Sequence, residues 1–498
     1  MKLWQFHGGI HLNGYKELSC NVPISPAPIP KHLILPLQQH IGEPTKPVVK
    51  VGDNVLKGQV VAECRMRDCS LLMSAPIHAP SSGTVVALEE YYVPHPSGMK
   101  APCIVIETDG QDQWTDLQPI EDYESLSSEV VRGYIAKAGI VGLGGAGFPS
   151  HIKLRPGDIH TLIINGAECE PYITCDDRLM REYSNDIITG AQILRHILGD
   201  AKQCLIGVED NKPEAYEALL QAAQGQDIDV IKVPTLYPTG GERQLIKILT
   251  NKEIGRGQLP ADKGIIVHNI ETTRAICRAV QEGKPLISRV VTVTGDGVDR
   301  PQNLEVLLGT PMSTLIDHCG KKSETTRLIM GGTMMGLSLS TDDMPVIKTT
   351  NCLITLVSYE ELQPTVMPCI RCGACANACP INLLPQQLYW YVKAKDFEKT
   401  QDYALFDCIE CGCCSYVCPS HIPLVSYYRY AKAEIRSQQT EKQKSDIARQ
   451  RHEFKQFRLE REKAEKAARH REKAATTSEG KKSVIKAAME KMKAKTKE

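Results

Sequence analysis

Eight cysteines near the C-terminal end constrain this chain more than any other feature. They form two copies of the spacing C-x2-C-x2-C-x3-C, each followed by a proline. The copies are Cys369, Cys372, Cys375 and Cys379, then Cys408, Cys411, Cys414 and Cys418. Thiolates at this spacing hold a [4Fe–4S] cluster, so two copies predict two clusters. Because such a cluster moves single electrons, the pattern indicates a redox protein.

The spacing also predicts which cysteines share a cluster. In a doubled run, the fourth cysteine of each copy reaches the other cluster. We therefore expect cluster 1 on Cys369, Cys372, Cys375 and Cys418, and cluster 2 on Cys408, Cys411, Cys414 and Cys379. Cys413 lies off the spacing and is left out. A pair of zinc sites is the alternative, but a zinc site uses four ligands, usually as two separated pairs, and has no use for the third and fourth cysteines of each run.

Length and composition narrow the class of protein. A chain of 498 residues with 42% hydrophobic residues predicts about three globular domains. No secretory signal opens the chain, and no apolar run approaches the roughly 18 residues that span a bilayer. We therefore expect a reducing cytosol, in which the other eleven of 19 cysteines are free thiols.

Two segments of the first 110 residues have the pattern of short strands joined by turns. Lys46–Val61 and Ala75–Leu88 resemble the two halves of a lipoyl-like β-sandwich. Such domains carry their cofactor on a lysine of the hairpin between the halves. No lysine lies in Cys64–Ala79, so we expect the fold without the swinging-arm function.

The middle of the chain alternates strands with helices. Buried strands are predicted at His160–Gly166, Cys204–Val208 and Gly264–Ile270, with helical segments between them. This order favours an α/β domain with a mostly parallel sheet. Residues 288–360 return to short strands and predict a small β-rich domain.

The C-terminal tail has a composition of its own. From Lys432 onward the chain has 21 Lys and Arg against 11 Asp and Glu, whereas the residues before it have 38 against 48. We expect a long exposed helix that frays to disorder after Thr476. Its positive charge would attract anionic membrane lipids or nucleic acid. The favoured interpretation is a helix that is simply exposed to solvent or that binds a protein partner. Nucleic acid is not expected, since the acidic body would repel it.

A glycine-rich loop, GIVGLGGAGFPSHIK, spans Gly139–Lys153. Glycines without side chains let backbone N–H groups approach a phosphate, and a following helix would add a favourable dipole. On this loop alone, nucleotide binding and a simple tight turn are equally supported.

Polar segments follow the predicted strands and favour a binding site. They are NGAECEP with Asn165 and Glu170, YPTGGER with Glu242, and HNIETT with Asn269 and Thr272. In open α/β sheets, ligands bind beyond the carboxyl ends of the strands. One such segment is an ordinary loop; three together indicate a site.

These segments carry a family resemblance. The glycine loop, NGAECEP and HNIET resemble the NADH-binding flavoprotein subunit of respiratory complex I. The opening FHGGIH, the sandwich-like segment and the doubled cysteine run closely resemble the RnfC family, a subunit family of the Rnf electron transport complex, also called Rsx. The order of segments matches over nearly the whole chain.

The resemblance implies cofactor contacts at numbered positions. The FMN contacts are Gly142, Gly144, Lys153, Asn165, Asn269 and Thr272, and the NADH contacts are Gly145, Phe148, Glu170 and Glu242. The chain departs from the complex I pattern at Leu143, which replaces an arginine, and at Gly241, which replaces an acid. A two-cluster module also replaces the single-cluster domain.

The resemblance completes the expected fold, a multidomain α/β chain. Its parts are an N-terminal segment with a lipoyl-like β-sandwich (1–125), a Rossmann-like α/β FMN/NADH domain (126–285), a β-grasp-like domain (286–360), a helical two-cluster [4Fe–4S] ferredoxin domain (361–432) and a helical or disordered basic tail (433–498).

The resemblance also implies a function. We expect a peripheral redox subunit on the cytoplasmic side of the cell inner membrane, in a complex that couples electron transfer between NADH and ferredoxin to ion translocation. The implied partners are the other subunits, ferredoxin and NADH, and the tail is expected to contact the membrane surface or a partner. The alternatives are a soluble flavin and iron–sulfur reductase, such as a cobalamin reductase, and an electron relay with clusters only.

Overall fold

The computed structural model describes residues 2–64, 73–155, 157–199, 201–357 and 365–495. The chain forms two compact units, the first made of Met1–Ala394 with Glu398–Tyr428 and the second of Lys395–Phe397 with Arg429–Glu498. The domain boundary predicted at residues 360–361 lies outside the described residues.

Strands predominate in the first 110 residues, strands and helices alternate in the middle of the chain, and helices predominate after β17. The strands are β1 (Ser25–Pro26), β2 (His32–Pro36), β3 (Lys46–Pro47), β4 (Asn54–Val55), β5 (Val60–Glu63), β6 (Ile77–His78), β7 (Gly83–Tyr92), β8 (Lys100–Thr108), β9 (Thr161–Gly166), β10 (Gln203–Glu209), β11 (Asp229–Val233), β12 (Ile265–Asn269), β13 (Ser288–Thr294), β14 (Gln302–Leu307), β15 (Thr325–Met330), β16 (Leu337–Leu339) and β17 (Cys352–Val357). The helices are α1 (Ser128–Lys137), α2 (Ser150–Lys153), α3 (Cys175–Glu182), α4 (Ser184–Ile197), α5 (Pro213–Ala222), α6 (Glu242–Thr250), α7 (Ile270–Gln281), α8 (Met312–His318), α9 (Ala374–Asn377), α10 (Pro385–Lys393), α11 (Phe397–Asp402), α12 (Cys413–Tyr416) and α13 (Leu424–Lys495).

Two small sheets form the N-terminal sandwich. One has the order β2-β8-β7-β4 and the other β3-β5-β6. Leu33 and Leu35 of β2 and Ile104 and Ile106 of β8 are fully buried, because alternate residues of a strand face the same side. Cys64, directly after β5, forms a disulfide bond, so the expectation of a free thiol is wrong at this position.

A four-stranded parallel sheet forms the α/β domain. Its order is β11-β10-β9-β12, and every pairing is parallel. Leu162, Ile163 and Ile164 of β9 are fully buried in succession. Such a continuous apolar run is expected where helices cover both faces of a sheet. The carboxyl ends of the strands therefore meet at one edge, where the predicted polar segments lie.

The next sheet has six strands in the order β1-β14-β13-β17-β15-β16. Its edge strand, β1, comes from the opening segment and pairs in parallel with β14, with Ser25 opposite Leu304. The sequence groups this opening segment with the sandwich in residues 1–125. Its pairing with β14 could not be predicted, because a strand of two residues has no periodicity that reveals its partner.

The two cysteine runs share one backbone conformation. Arg371 and Glu410, each two residues after the first cysteine of its run, have φ values of 55° and 58°. Gly373 and Gly412 follow with φ values of 82° and 83°, and a one-turn helix, α9 or α12, begins directly after each. Each run therefore wraps in the same way.

Helix α13 continues well past Thr476 to Lys495, so the disorder expected there is not found. Ala, Glu, Lys and Arg dominate this segment and are strong helix formers, which accounts for its continuation. Within the described residues, no helix combines the length and the apolar character that crossing a bilayer requires.

Candidate functional site

The glycine loop is closed like a small hairpin between α1 and α2. Val141 pairs with Pro149, and Gly142 N donates to Phe148 O over 2.8 Å. This closure leaves the backbone of Gly144–Ala146 exposed. The helix that follows, α2, has only four residues, so the dipole contribution considered from the sequence is not available here.

The loop is held from behind by helix α7 and strand β13. Leu143 N donates to Thr272 Oγ1 over 2.9 Å, and Arg289 donates to Leu143 O over 3.4 Å. Arg289 also forms a buried ion pair with Glu271, with 2.6 Å between Nη2 and Oε2. The hydroxyl of Thr272, an expected FMN contact, is therefore already an acceptor for the loop.

Asn269 connects the loop to the helix N-terminus. Its Oδ1 accepts from Glu271 N over 2.9 Å, which caps α7, and its Nδ2 donates to Asp176 Oδ2 over 2.6 Å. A Cβ at Gly144 would lie 2.9 Å from this side chain, so only glycine fits there. Burial, with the charges of Glu168 and Glu271, raises the pKa of Asp176 to about 8.

The remaining expected FMN contacts meet at the same strand ends. Asn165 lies beside Asn269 in the register of β9 and β12, and its Nδ2 donates to Gly240 O over 2.9 Å. Lys153 and Glu242 form an ion pair of 2.6 Å, and both are partly exposed. Three separate sequence segments and the glycine loop thus converge on one edge.

Two buried polar atoms beside these residues lack a hydrogen-bond partner in the described chain: Ser150 Oγ and His268 Nε2. Burial, and secondarily the charge of Lys153, lowers the pKa of His268 to about 3, so this side chain is neutral. Nothing lies within 4 Å of a Cβ built on Gly145. An open glycine backbone, a nearby lysine and unpaired polar atoms fit a flavin nucleotide with its phosphate.

Glu170, an expected NADH contact, uses its carboxylate elsewhere. The two oxygens accept from Met334 N over 3.1 Å and Met335 N over 3.0 Å, and Oε1 lies 3.3 Å from the hydroxyl of Tyr237. Burial raises the pKa of Glu170. This side chain joins the α/β domain to the turn between β15 and β16.

The eight cysteines gather into two sets of four. One cavity is lined by Cys369, Cys372, Cys375 and Cys418, and the other by Cys379, Cys408, Cys411 and Cys414. Each cavity thus combines three cysteines of one run with the fourth of the other, as the spacing predicts. Four thiolates around one cavity fit a [4Fe–4S] cluster.

The two sets differ in exposure. Cys372 is exposed, whereas Cys379, Cys411 and Cys414 are buried. Cys413 is also fully buried but does not line either cavity.

Four family models match successive parts of the chain. They are the RnfC barrel sandwich hybrid domain (residues 4–111), the Nuo51 FMN-binding domain (135–278), the SLBB domain (290–338) and the 4Fe-4S dicluster domain (368–422). The predicted FMN and [4Fe–4S] cofactors are confirmed by these domain families.

Curated relatives match almost the whole chain. The RnfC protein of the ion-translocating oxidoreductase complex of Serratia proteamaculans is 45% identical over 99% of this chain and 70% of its own length. The chain belongs to the RnfC family of ion-translocating oxidoreductase complexes. The corresponding proteins of Yersinia pestis and Vibrio cholerae are 46% and 50% identical over 99% and 95% of the chain. The resemblance found in the sequence is confirmed.

The coverage of these RnfC relatives is uneven. The chain spans 79% of the Yersinia pestis protein but only 61% of the Vibrio cholerae protein. Among solved structures, NAD+-reducing [NiFe]-hydrogenase is similar in its air-oxidized and H2-reduced states, with TM-scores of 0.43 and 0.46 and identities of 18% and 17%. These matches cover 55% and 60% of this chain, and 54% and 62% of the hydrogenase chains.

Several residues at the site were not predicted. Arg289 binds the glycine loop and Asp176 binds Asn269, each from a distant position in the sequence. No local sequence pattern points to either residue. Tyr237 and His7 both contact the backbone of cluster cysteines. They lie in YPTGGER and FHGGIH, motifs that stand out in the sequence although neither pattern assigns a role to these two side chains.

Proposed function

We propose that this chain is the peripheral redox subunit of a membrane-bound complex that couples electron transfer between NADH and ferredoxin to ion translocation. When bound, FMN exchanges hydride pairs for single electrons, and the [4Fe–4S] clusters carry one electron each. The observation that supports this most is the pairing of two four-cysteine cavities with an exposed glycine loop in one compact unit.

For the flavin, we propose that Lys153 binds the phosphate together with the exposed backbone of Gly144. Gly142, whose N–H closes the loop onto Phe148 O, would contact the flavin from the base of the loop. Lys153 is suited to binding the phosphate because its ammonium is partly exposed and, among the described residues, is paired with Glu242 alone, so an anion can reach it. Asn165 and Asn269 then present amide groups at the strand ends, and Thr272 keeps the loop in place.

For NADH, we propose contacts at Gly145, Phe148 and Glu242, at the exposed side of the loop. Leu143, where complex I has arginine, is 1% exposed and packs inward, so it contributes to the core rather than to charge at the site. The carboxylate of Glu170 supports the domain junction, so an NADH contact at Glu170 would compete with the amides of Met334 and Met335.

For the clusters, we propose the assignment given by the two cavities. Cluster 2 adjoins the α/β domain, because Tyr237 donates to the carbonyl of Cys411. Cluster 1 faces solvent at Cys372, with Ile370 68% exposed beside it. We therefore propose that cluster 1 is the one that meets a redox partner.

Family membership favours the complex over the soluble reductase and the cluster-only relay. We propose the cytoplasmic side of the inner membrane as its location, the other subunits and ferredoxin as partners, and the basic helix α13 as the part that contacts the membrane surface or a partner.

The test is anaerobic reconstitution of the full chain, with iron, sulfide and flavin analysis and a titration with NADH. We expect about eight irons and one flavin per chain, and bleaching of the flavin by NADH. Lys153→Met is expected to lower the flavin content, with the eight irons retained. A reconstituted sample that binds no flavin, or whose flavin NADH does not bleach, would defeat the dehydrogenase role.

A further inference from the structure

Two side chains from outside the cluster module contact the backbone of cluster cysteines. The hydroxyl of Tyr237 donates to Cys411 O over 2.7 Å, and His7 Nδ1 lies 2.8 Å from Cys379 O. The second contact is a hydrogen bond when Nδ1 carries the proton. Both cysteines belong to the cluster 2 set, although they come from different runs.

The two contacting segments are paired with each other. Ile10 N donates to Tyr237 O over 2.9 Å, and Tyr237 N donates to Ile10 O over 3.0 Å. Gly9 N donates to Ala378 O over 3.1 Å. A Cβ at Gly8 would lie only 2.7 Å from Ala378 C, and the backbone of Gly8 has a φ of 66°, which disfavours other residues. Glycine at this position therefore lets the opening segment approach the first cysteine run.

Tyr237 is fixed on its other side as well. Its hydroxyl lies 3.3 Å from Glu170, which is held by the amides of Met334 and Met335. Tyr237 is 3% exposed, so water does not compete for its bond to Cys411. A hydrogen bond in such a low-dielectric environment is stronger than one in water.

Resting on the proposed function, we propose that His7 and Tyr237 are positioning residues that clamp the ligand loops of cluster 2 to the α/β domain. The clamp sets the reduction potential and the stability of cluster 2 and leaves cluster 1 unaffected. The physical reason is twofold. Each donor directs the positive end of its dipole at a loop that holds an anionic cluster, and outer contacts of this kind fix the orientation of metal ligands.

The direction of the effect follows from the dipoles. Removing a donor disfavours the reduced, more negative cluster, so the potential of cluster 2 should become more negative. Tyr237 should matter more than His7, because Tyr237 is buried and His7 is exposed.

The experiment is a redox titration of the reconstituted full chain, followed by electron paramagnetic resonance. Cys379→Ser and Cys418→Ser identify the signals of clusters 2 and 1. In Tyr237→Phe, we expect a more negative potential for cluster 2 and iron release to a chelator about tenfold faster from that cluster, a typical loss for an outer-shell contact. Cluster 1 should keep its wild-type potential.

His7 provides an independent test because it is exposed and its replacement does not threaten folding. His7→Leu should shift cluster 2 in the same direction by a smaller amount. His7→Asn should restore the wild-type value, because the amide nitrogen of asparagine can donate in place of Nδ1.

Thr239→Val is the matched control for Tyr237→Phe. Thr239 is fully buried two residues away, and its hydroxyl bonds to Pro234 O and Leu236 O within its own loop. A shift in Thr239→Val equal to that in Tyr237→Phe would mean that loop stability, not the contact to Cys411, controls the cluster. Unchanged cluster 2 potentials in both Tyr237→Phe and His7→Leu would also overturn the clamp. Wild-type protein without clusters or flavin would instead refute the proposed function.

Discussion

Adjacent glycines of the loop should respond differently to the same added methyl group. A Cβ at Gly144 would lie 2.9 Å from the side chain of Asn269, whereas a Cβ at Gly145 would meet nothing within 4 Å. Neither glycine has the left-handed backbone that disfavours alanine. Gly144→Ala therefore tests the packing behind the loop, and Gly145→Ala is its matched control.

The cost of Gly144→Ala can be worked from the contacts of Asn269. Displacing this side chain removes the cap on Glu271 N, a loss of about 1 kcal/mol, and the bond to Asp176, about 0.5–1.5 kcal/mol. Since 1.4 kcal/mol is a factor of ten, a local loss of about 2 kcal/mol should speed amide exchange at the start of α7 about thirtyfold.

The assay is hydrogen exchange at the amides of Glu271 and Thr272, with the flavin content measured in parallel. Gly144→Ala should show fast exchange and reduced flavin. Gly145→Ala should exchange like the wild type and weaken only the binding of NADH. Equal exchange in the two variants would refute the argument that Asn269 connects the loop to the helix.

Three further experiments test buried charge, protonation and the cluster assignment. Arg289→Met leaves the carboxylate of Glu271 buried without its charged partner. A denaturant titration should show the free energy of unfolding lowered by about 3–5 kcal/mol, and the double variant with Glu271→Leu should recover much of this loss. His268 has a folded-state pKa of about 3, below its ordinary 6.5, so its contribution to stability is complete above pH 6.5 and is lost as the pH falls towards 3. At pH 5 the loss of unfolding free energy is about 2 kcal/mol. Melting curves at pH 7 and pH 5 should therefore differ less in His268→Phe than in the wild type. Cys379→Ser should remove the resonance of cluster 2 and Cys418→Ser that of cluster 1; the reverse result would show that each run holds its own cluster.

The sequence was most informative where the chemistry is local. The spacing of the cysteines predicts both sets of four, because a run of this kind has one way to wrap. The strands that carry Asn165 and Asn269 were also predicted, since a short apolar run between turns is typical of a buried parallel strand. The convergence of their polar ends then follows from the geometry of a parallel sheet.

Contacts between distant segments could not be predicted in this way. Arg289 reaches the glycine loop across 146 residues, and His7 reaches Cys379 across 372 residues. Neither residue type nor spacing encodes such a pairing. The resemblance assigned Thr272 and Glu170 to cofactors, whereas here their polar groups also bind the protein itself, which only the folded arrangement reveals.

The pairing of β1 with β14 has a consequence for synthesis. Ser25 leaves the ribosome about 280 residues before Leu304, its neighbour in the sheet. At about 5–20 residues per second, the opening segment waits roughly 14–56 s for that neighbour. The newborn chain therefore carries β1 without a partner strand through more than half of translation. The six-stranded sheet gains this edge strand only after β14 has been synthesised.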